Sequence, residues 1–366
     1  MDYDHSSSGH EHPLVSIIIN NYNYAAYVSQ AIQSALDQTY DPVEVIVVDD
    51  ASIDNSREVI TAFGERIRYV GLAENRGQGG AMNAGYAASH GEVLFFLDAD
   101  DLLDADIAQK VVQRFAANPQ ASKVHFYLRV IDREGRPRGD AVPDHVLPGG
   151  WVPSKPLWRE RIWSPTSGNA YRRDRVAPLF PIPEQPFRIS ADVWCNVLSP
   201  YIGEIEAIQG LGGSYRLHGS NNYAGTITSA DMLQSVILVN TARTAALVKW
   251  CEKNLSPSIQ PRVGLWTHVV KQRMLSMAIL PQTHPIEGDT PWRVFKEGMS
   301  TLPGLAITVR LRTGAWLCLW LALFTLGTKK LREQVAAKSL SGQRGLLMSK
   351  MKVMFYGIKK IGLPGL

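Results

Sequence analysis

Apolar runs that end abruptly in polar or acidic residues constrain this chain more than any other feature. Val93 to Asp101 reads V-L-F-F-L-D-A-D-D, an unbroken hydrophobic run that stops at Asp98, Asp100 and Asp101. Its length and its boundaries read as a β-strand buried on both faces. Side chains at i and i+2 of a strand point the same way, so Asp98 and Asp100 are expected to converge. Two hard oxygen ligands on one face suit Mg2+ or Mn2+, ions held by one or two carboxylates plus the phosphate oxygens of a substrate. That chemistry makes a nucleoside diphosphate the expected partner. The same acids also read as a solvated loop, with Asp101 or Asp104 as a helix N-cap.

The residues before this run repeat the pattern. Leu14 to Asn20 is a first strand, followed by the polar aromatic loop Asn21, Tyr22, Asn23, Tyr24 and an amphipathic segment from Tyr27 to Gln38. Val43 to Asp50 is a second strand ending in two acids, and Asp54 then caps a helix reaching about Phe63. Ile67 to Gly71 is a short third strand, leading into Asn75-Arg76-Gly77-Gln78-Gly79-Gly80 and a helical stretch. Strands and helices alternating at this length imply an α/β fold whose parallel sheet carries helices on both faces. Ligands of such sheets sit beyond the carboxyl ends of the strands, where Asn20, Tyr22, Asp50, Gly77 and Asp98 all fall.

Four motifs now stand in order: Val15-Ser16-Ile17-Ile18-Ile19-Asn20-Asn21-Tyr22-Asn23, Val47-Val48-Asp49-Asp50-Ala51-Ser52, Asn75-Arg76-Gly77 and Asp98-Ala99-Asp100-Asp101. In sequence and spacing the chain resembles the family 2 glycosyltransferases, strongly from Leu14 to about Val112, less strongly to Asn222, and not beyond. The resemblance implies a GT-A fold: a Rossmann-like, mostly parallel sheet with flanking helices. It also implies a nucleotide-diphosphate sugar as donor, a divalent metal, and inversion at the anomeric carbon, as in glycosyltransferases of bacterial polysaccharide synthesis.

Carried over residue by residue, the resemblance assigns Asn20, Tyr22, Asn23 and Asp50 to the nucleotide sugar, with Asp50 accepting hydrogen bonds from the base and Asp49 open to a structural role. Gly77 and Gly79 let the backbone approach the nucleotide, and Asn75, Asn83 and Asp98 add polar contacts. Met82 stands where many members carry a basic residue, a departure from the pattern. The glycine-rich segment lacks the G-x-G-x-x-G spacing of a dinucleotide fingerprint. Asp98, Asp100 and His218 form the expected metal set, His218 coming from Ser214-Tyr215-Arg216-Leu217-His218-Gly219-Ser220-Asn221; a packing role for His218 is the alternative. Direct displacement of the nucleotide needs a base near the acceptor hydroxyl. Asp192, in Ile189-Ser190-Ala191-Asp192-Val193-Trp194, resembles the family's acidic motif at the start of a helix and is the expected catalytic base; a plain N-terminal charge is the alternative. Ser167, Gly168, Arg172 and Arg173 look like the acceptor-side segment, the two arginines suiting phosphate or carboxylate.

Length suggests about two domains. The expected organisation is a disordered tail over 1–12, a catalytic domain over 13–225 (nucleotide half about 13–112, acceptor half about 113–225), a helical extension over 226–300, and an apolar segment with a basic amphipathic tail over 301–366. From Ala230 to Asn254 and from Trp266 to Leu280 apolar residues recur at helical spacing, and Pro281 to Pro291 reads as a linker. Thr313 to Leu326 is nearly all apolar and is flanked by Arg310 and Arg312 on one side and Lys329, Lys330 and Arg332 on the other. It is short for a spanning helix, which needs ~20 residues. One reading puts Trp316 and Trp320 at a membrane interface with the basic flanks on anionic headgroups; the other is an ordinary buried helix with a solvated tail. The formal net charge of +4 arises largely from the tail residues between Lys338 and Lys360. It is read as a membrane-surface feature, since no nucleic-acid motif accompanies it.

Met1 to His12 has no apolar core and reads as neither signal peptide nor anchor. Three widely spaced cysteines, Cys195, Cys251 and Cys318, fit a reducing compartment. The expected location is the cytoplasm, in peripheral contact with the inner face of the membrane. The expected activity is transfer of a sugar to a glycan or lipid-linked acceptor in cell-surface polysaccharide synthesis. Two other classes remain: a nucleotidyltransferase making nucleotide sugars, which wants a basic Gly-rich loop directly after the first strand, where Asn20 to Tyr24 stand; and a catalytically silent membrane scaffold, which has no need of Asp50, Asp98, Asp100 and Asp192.

Overall fold

A computed structural model of the protein describes residues 12–143, 164–218, 230–256, 267–302 and 307–340. The chain divides into two units, 1–222 and 223–366. In the first, strands β1 (Val15–Asn21), β2 (Val43–Asp49), β3 (Arg68–Gly71) and β4 (Val93–Asp98) alternate with helices α1 (Val28–Leu36), α2 (Ser56–Thr61) and α3 (Gly77–Ala88). There follow β5 (Leu102–Leu103), α4 (Ile107–Ala117), β6 (Ala121–Ile131), β7 (Pro137–Val142), β8 (Asn169–Arg172), α5 (Arg173–Val176), α6 (Asp192–Leu198) and β9 (Glu204–Arg216). Together the strands make one nine-stranded sheet in the order β3-β2-β1-β4-β8-β6-β9-β5, with β7 on β6.

The Ile/Val-rich runs form the parallel core because both of their faces find cover. β1 pairs in parallel with β2 on one side and β4 on the other. Its side chains alternate: Ile17 and Ile19 join the cluster holding Val28, Ala31 and Ile32 of α1, while Ile18 turns to α3. α1 buries Val28, Ala31, Ile32 and Ala35, one stripe at helical spacing. The expected mostly parallel sheet is present. The alternation of strands and helices did not announce β8, which inserts antiparallel between β4 and β6 and joins the later residues to the nucleotide half.

α3 lies very close to the sheet. A Cβ at Gly85 would sit 2.2 Å from Ile18 Cγ2 and 3.2 Å from Val48 Cγ2. Gly85→Val is therefore expected to lower the stability of this unit by ~1–3 kcal/mol, since α3 must lift off β1 to admit the branches. Urea unfolding reads this directly, and an unmoved midpoint would contradict the close packing.

The second unit consists of helices α7 (Ala230–Asn254), α8 (Thr267–Ile279), α9 (Pro291–Thr301), α10 (Ile307–Leu326) and α11 (Lys329–Leu340). The apolar run of α10 packs inward: Leu317, Trp320 and Leu323 join Val270, Met274 and Val294 in one core. This corrects the interface reading of Trp320, which is fully buried because α8 and α9 supply the apolar surface that a bilayer would otherwise offer. Among the described residues no helix is long and apolar enough to cross a membrane. The basic tail beyond Leu340 and the N-terminal residues 1–11 lie outside the described residues.

Between α8 and α9 sits a buried ionic knot. Asp289, whose side chain is inaccessible, accepts Arg273 Nε at 2.7 Å and faces His284 Nε2 at 3.0 Å, while Arg273 Nη1 reaches Glu297 at 2.6 Å. Burial pushes the Asp289 carboxyl up, but the hydrogen bonds from His284 and Arg273 outweigh it and leave it below its ordinary value. The folded chain thus releases this proton more readily than the unfolded chain does. Its stabilisation is complete above the ordinary carboxylate range and is lost as acid takes the pH down through the lowered folded value. Asp289→Asn should destabilise the unit at neutral pH and flatten its acid-induced loss of stability; a variant that melts like the parent at pH 7 would show the knot contributes little.

Candidate active site

The parallel register aligns the polar ends of the central strands. Asn20 stands opposite Val48 on one side and Asp98 on the other, and Asn21 opposite Asp49. The expected residues of the sheet's carboxyl edge are therefore brought together by pairing alone.

On the nucleotide side the two acids after β2 have different surroundings. Asp49 accepts from Asn21 Nδ2 at 2.9 Å and from Ser52 Oγ, and borders a cavity of about 430 Å³ whose walls include Ser52, Arg57, Tyr69 and Leu72. Asp50, buried, takes the backbone N–H groups of Arg76 and Gly77, both at 2.7 Å, one on each oxygen. Burial raises its carboxyl, and those two N–H bonds pull it back. Asn20 is 8 % exposed, and neither its amide oxygen nor its amide nitrogen has a hydrogen-bond partner among the described residues. A buried amide left in that condition is costly unless a ligand completes it. Tyr22, 42 % exposed, lies open beside it in the chain. Asn23, at φ 60°, accepts from Ile53 N at 2.8 Å and donates its own N–H to Ser52 Oγ, joining two loops.

Three expectations for the α3 region change. What approaches Gly77 and Gly79 is protein: a Cβ would meet the Arg188 backbone at 2.7 Å or the Phe187 carbonyl at 2.8 Å, and Gln78 and Gly79 donate their N–H groups to those two carbonyls. The glycines make room for the 187–188 segment, with Gly77 also at φ +77°. Asn83 spends both ends of its amide on the Ile182 backbone, at 2.9 and 2.7 Å, and so is a brace. Asn75 donates to the Asp50 carbonyl and receives Arg188 Nη2 on its side-chain oxygen.

Beyond β4 the carboxylates gather. Burial raises Asp98 to about 7, with the charges of Asp100 and Asp192 adding to the effect. The same causes, burial first and then Asp100 and Asp98, hold Asp101 well above its ordinary value, and burial followed by this group of carboxylates raises Tyr24. His218 Nε2 lies 2.9 Å from Asp100 Oδ2, with its ring stacked on Tyr27 and edge-on to Tyr24. Ser167 donates to Asp101 at 2.7 Å and accepts the Asp98 N–H at 3.1 Å, so it lies at this edge; Gly168 sits beside it, where a Cβ would strike Ser164 at 2.7 Å. Among the described residues no group of three or more His, Cys, Asp or Glu is arranged as a ready metal cage. Carboxylates that raise one another, with an imidazole in contact, are nonetheless the donor set a hard cation relieves, and Mg2+ or Mn2+ needs few protein ligands when phosphate supplies the rest.

Asp192 opens α6 and accepts Asn196 Nδ2 at 3.3 Å. Its influence on Asp98 puts the expected base and the expected metal ligand in one electrostatic neighbourhood. Arg172 and Arg173, by contrast, are not at the site. Arg172 pairs with Val93, five residues and roughly 16 Å along β4 from Asp98. It caps the carbonyls of Phe115 and Ala121, and Arg173 holds Gly91 O and Ser89. The acceptor-side expectation for these two arginines is corrected on that ground: they are structural, tying the sheet's opposite end.

Three residues that the sequence did not single out complete the site. Gln78 donates to Asp98 Oδ1 at 3.0 Å and to Thr166 Oγ1 at 3.1 Å, while accepting the Ala191 N–H at 2.9 Å, so one amide spans both carboxylate neighbourhoods. Arg216, 1 % exposed, gives its backbone N–H to Asp101 and its Nε to the Asp100 carbonyl, fixing the acidic loop from β9. Its place two residues before His218 was the available signal. Ser190, just before Asp192, is held at φ 57°, a backbone conformation that non-glycine residues seldom adopt.

The profile described as "Glycosyl transferase family 2" matches residues 16–177. An uncharacterized glycosyltransferase of Nostoc sp. is 39% identical over 229 residues, which is 60% of this chain and 70% of that protein. The succinoglycan biosynthesis protein ExoO of Rhizobium meliloti is 38% identical over 126 residues, 34% of this chain and 36% of that one. In fold, the chain is similar to residues 1–349 of S. aureus TarS, crystallised in complex with UDP-GlcNAc: TM-score 0.57 and 14% identity, with 89% of this chain and 90% of that one covered. With a sheet of GT-A pattern whose acidic loop and polar strand ends stand where the motifs placed them, the chain belongs to the family 2 glycosyltransferases.

Proposed function

We propose that this protein is an inverting, metal-dependent glycosyltransferase that moves a sugar from a nucleoside-diphosphate donor to a glycan or lipid-linked acceptor in the assembly of cell-surface polysaccharide. The observation that carries the reading is the amide of Gln78, which donates to Asp98 Oδ1 at 3.0 Å and accepts the Ala191 N–H at 2.9 Å, joining a donor-side carboxylate at the end of β4 to the turn from which Asp192 opens α6. The part of ExoO in succinoglycan biosynthesis and the UDP-GlcNAc held by the TarS crystal support the pathway and the donor class. A surface contact with the inner leaflet fits the exposed Leu311 and Leu326 and the exposed Lys329 and Lys330.

The unpartnered amide of Asn20 and the open ring of Tyr22 bind the base or ribose; the Asp50 carboxylate, expected to accept from the base, instead has both oxygens on the Arg76–Gly77 backbone and holds that turn behind them. Asp98 and Asp100, with His218, would hold Mg2+ or Mn2+. When bound, that ion supplies positive charge against the diphosphate. Asp192 accepts the proton of the acceptor hydroxyl. The acceptor oxygen then forms its bond to the anomeric carbon from the face opposite the leaving group. The bond from that carbon to the diphosphate oxygen breaks, and its electron pair leaves with the nucleoside diphosphate.

Asp192→Asn should lower transfer by ~10²–10⁴-fold while donor affinity, measured by calorimetric titration, stays near the parent value. Full transfer by this variant would remove Asp192 from the role. Asp100→Ala should act on the donor instead. In a thermal-shift panel of uridine, guanosine and thymidine diphosphate sugars, the parent protein is stabilised by one nucleotide class and more strongly with manganese. Near a hundredfold excess over Kd the gain is ~2.7 kcal/mol. In Asp100→Ala the manganese-dependent part of the shift disappears; its persistence would place the cation elsewhere.

A further inference from the structure

Behind α6 lies a group that the reaction as described does not use. Lys123, near the start of β6, is fully buried. Its Nζ donates to Asn196 Oδ1, and it lies 6.0 Å from the centre of the Tyr171 ring. Asn196, 2 % exposed, turns its other end outward: Nδ2 donates to Asp192 Oδ2 at 3.3 Å and to the Ser164 carbonyl at 3.4 Å. Only one orientation of that amide satisfies these contacts, oxygen to the ammonium and nitrogen to the two oxygens. Lys123, Asn196 and Asp192 thus form a polarised chain running from the core to the face where the acceptor must arrive.

An ammonium in such surroundings is expensive. Burial lowers Lys123 to about 7, and the charge of Asp192 holds it up against that trend. Among the described residues, the charged and titratable groups that face it include Asp192 and Cys195 of α6 and Tyr171 of β8, the last two kept neutral by burial. A chain with no need of a cation there would place methionine or leucine in this strand at no such cost. On the other side, Asp192 meets the repelling carboxylate of Asp98.

We infer that Lys123, acting through Asn196, is a positioning residue for Asp192: the pair fixes the carboxylate on the acceptor side and offsets the repulsion it meets from Asp98. The inference rests on the reading of Asp192 as the base. A carboxylate displaced by about 1 Å loses on the order of a hundredfold in rate, so a loss in turnover with no loss in donor binding is the expected signature.

Two variants of the intact chain test it beside Asp192→Asn. Lys123→Met keeps the volume and removes the charge. Asn196→Asp keeps a partner for Lys123 but no longer donates to Asp192. In both, kcat for transfer should fall at least tenfold, while the Kd for the donor, measured with manganese present, changes less than twofold. Methylammonium should partly restore a Lys123→Ala variant, and methanol, which fills the same space without charge, should not. Parent-like kcat in folded Lys123→Met or Asn196→Asp overturns the inference, as does equal rescue by methanol, which would make the lysine a space filler. Loss of folding in both variants also overturns it, by making the pair a prop of the core. If Asp192→Asn retains transfer, the base reading itself fails. An inactive Asp192→Asn beside a parent-like Lys123→Met fails the positioning role alone.

Discussion

The parallel pairing of β1 with both β2 and β4 is the constraint on which the rest of the first unit depends. In a two-residue repeat, a slip of one position turns every side chain to the opposite face. Here a slip of β4 against β1 would carry Asp98 away from Asn20 and turn Phe95 and Leu97 out of the core they share with Val28, Ala31 and Ile32 of α1. The apolar pattern that buries the sheet and the polar pattern that makes the site are therefore the same pattern. Selection for a packed interior fixes the alignment of the strand ends without further contacts.

Much of this was legible in the chain itself. Long Val/Ile/Phe runs identify buried strands because few other elements bury so many consecutive side chains, and polar and acidic residues at their ends mark the carboxyl edge of the sheet. Helix α7 likewise matched its expected bounds, Ala230 to Asn254, because the apolar spacing persists over its length. The partners of polar residues were less legible. Gly77, Gly79 and Asn83 were expected to face a ligand, yet each serves the 182–188 segment, about a hundred residues onward in the chain. A motif preserves residue type and spacing; it does not record whether an amide faces solvent, a nucleotide or a distant stretch of backbone. Arg172 and Arg173 misled for a related reason: charge suggested a ligand, while β8 runs antiparallel and delivers them to the far end of β4.

The residues that escaped notice share a character. Gln78, Lys123, Asn196 and Arg216 are polar groups half or fully enclosed by protein, and their value lies in what they hold in place. In a sequence they look like ordinary helix or strand positions. Burial in the fold gives them meaning, since a buried donor or acceptor must be matched and its matching partners mark where geometry is being enforced. Gln78 is the clearest case, because a single amide measures the separation between the end of β4 and the turn before α6. The backbone conformation of Ser190 sits on that same turn, and the N–H held by Gln78 belongs to the very next residue.

Arg216 changes what binding at the acidic loop has to accomplish. Its guanidinium and backbone reach the Asp100 carbonyl and the Asp101 carboxylate, and also Gln30 of α1 and the Arg133 carbonyl. The loop's conformational freedom is surrendered when the domain folds, before any ligand arrives. Arrival then requires no ordering of the loop, and the free energy of each new contact goes to affinity instead of to shaping its own receptor.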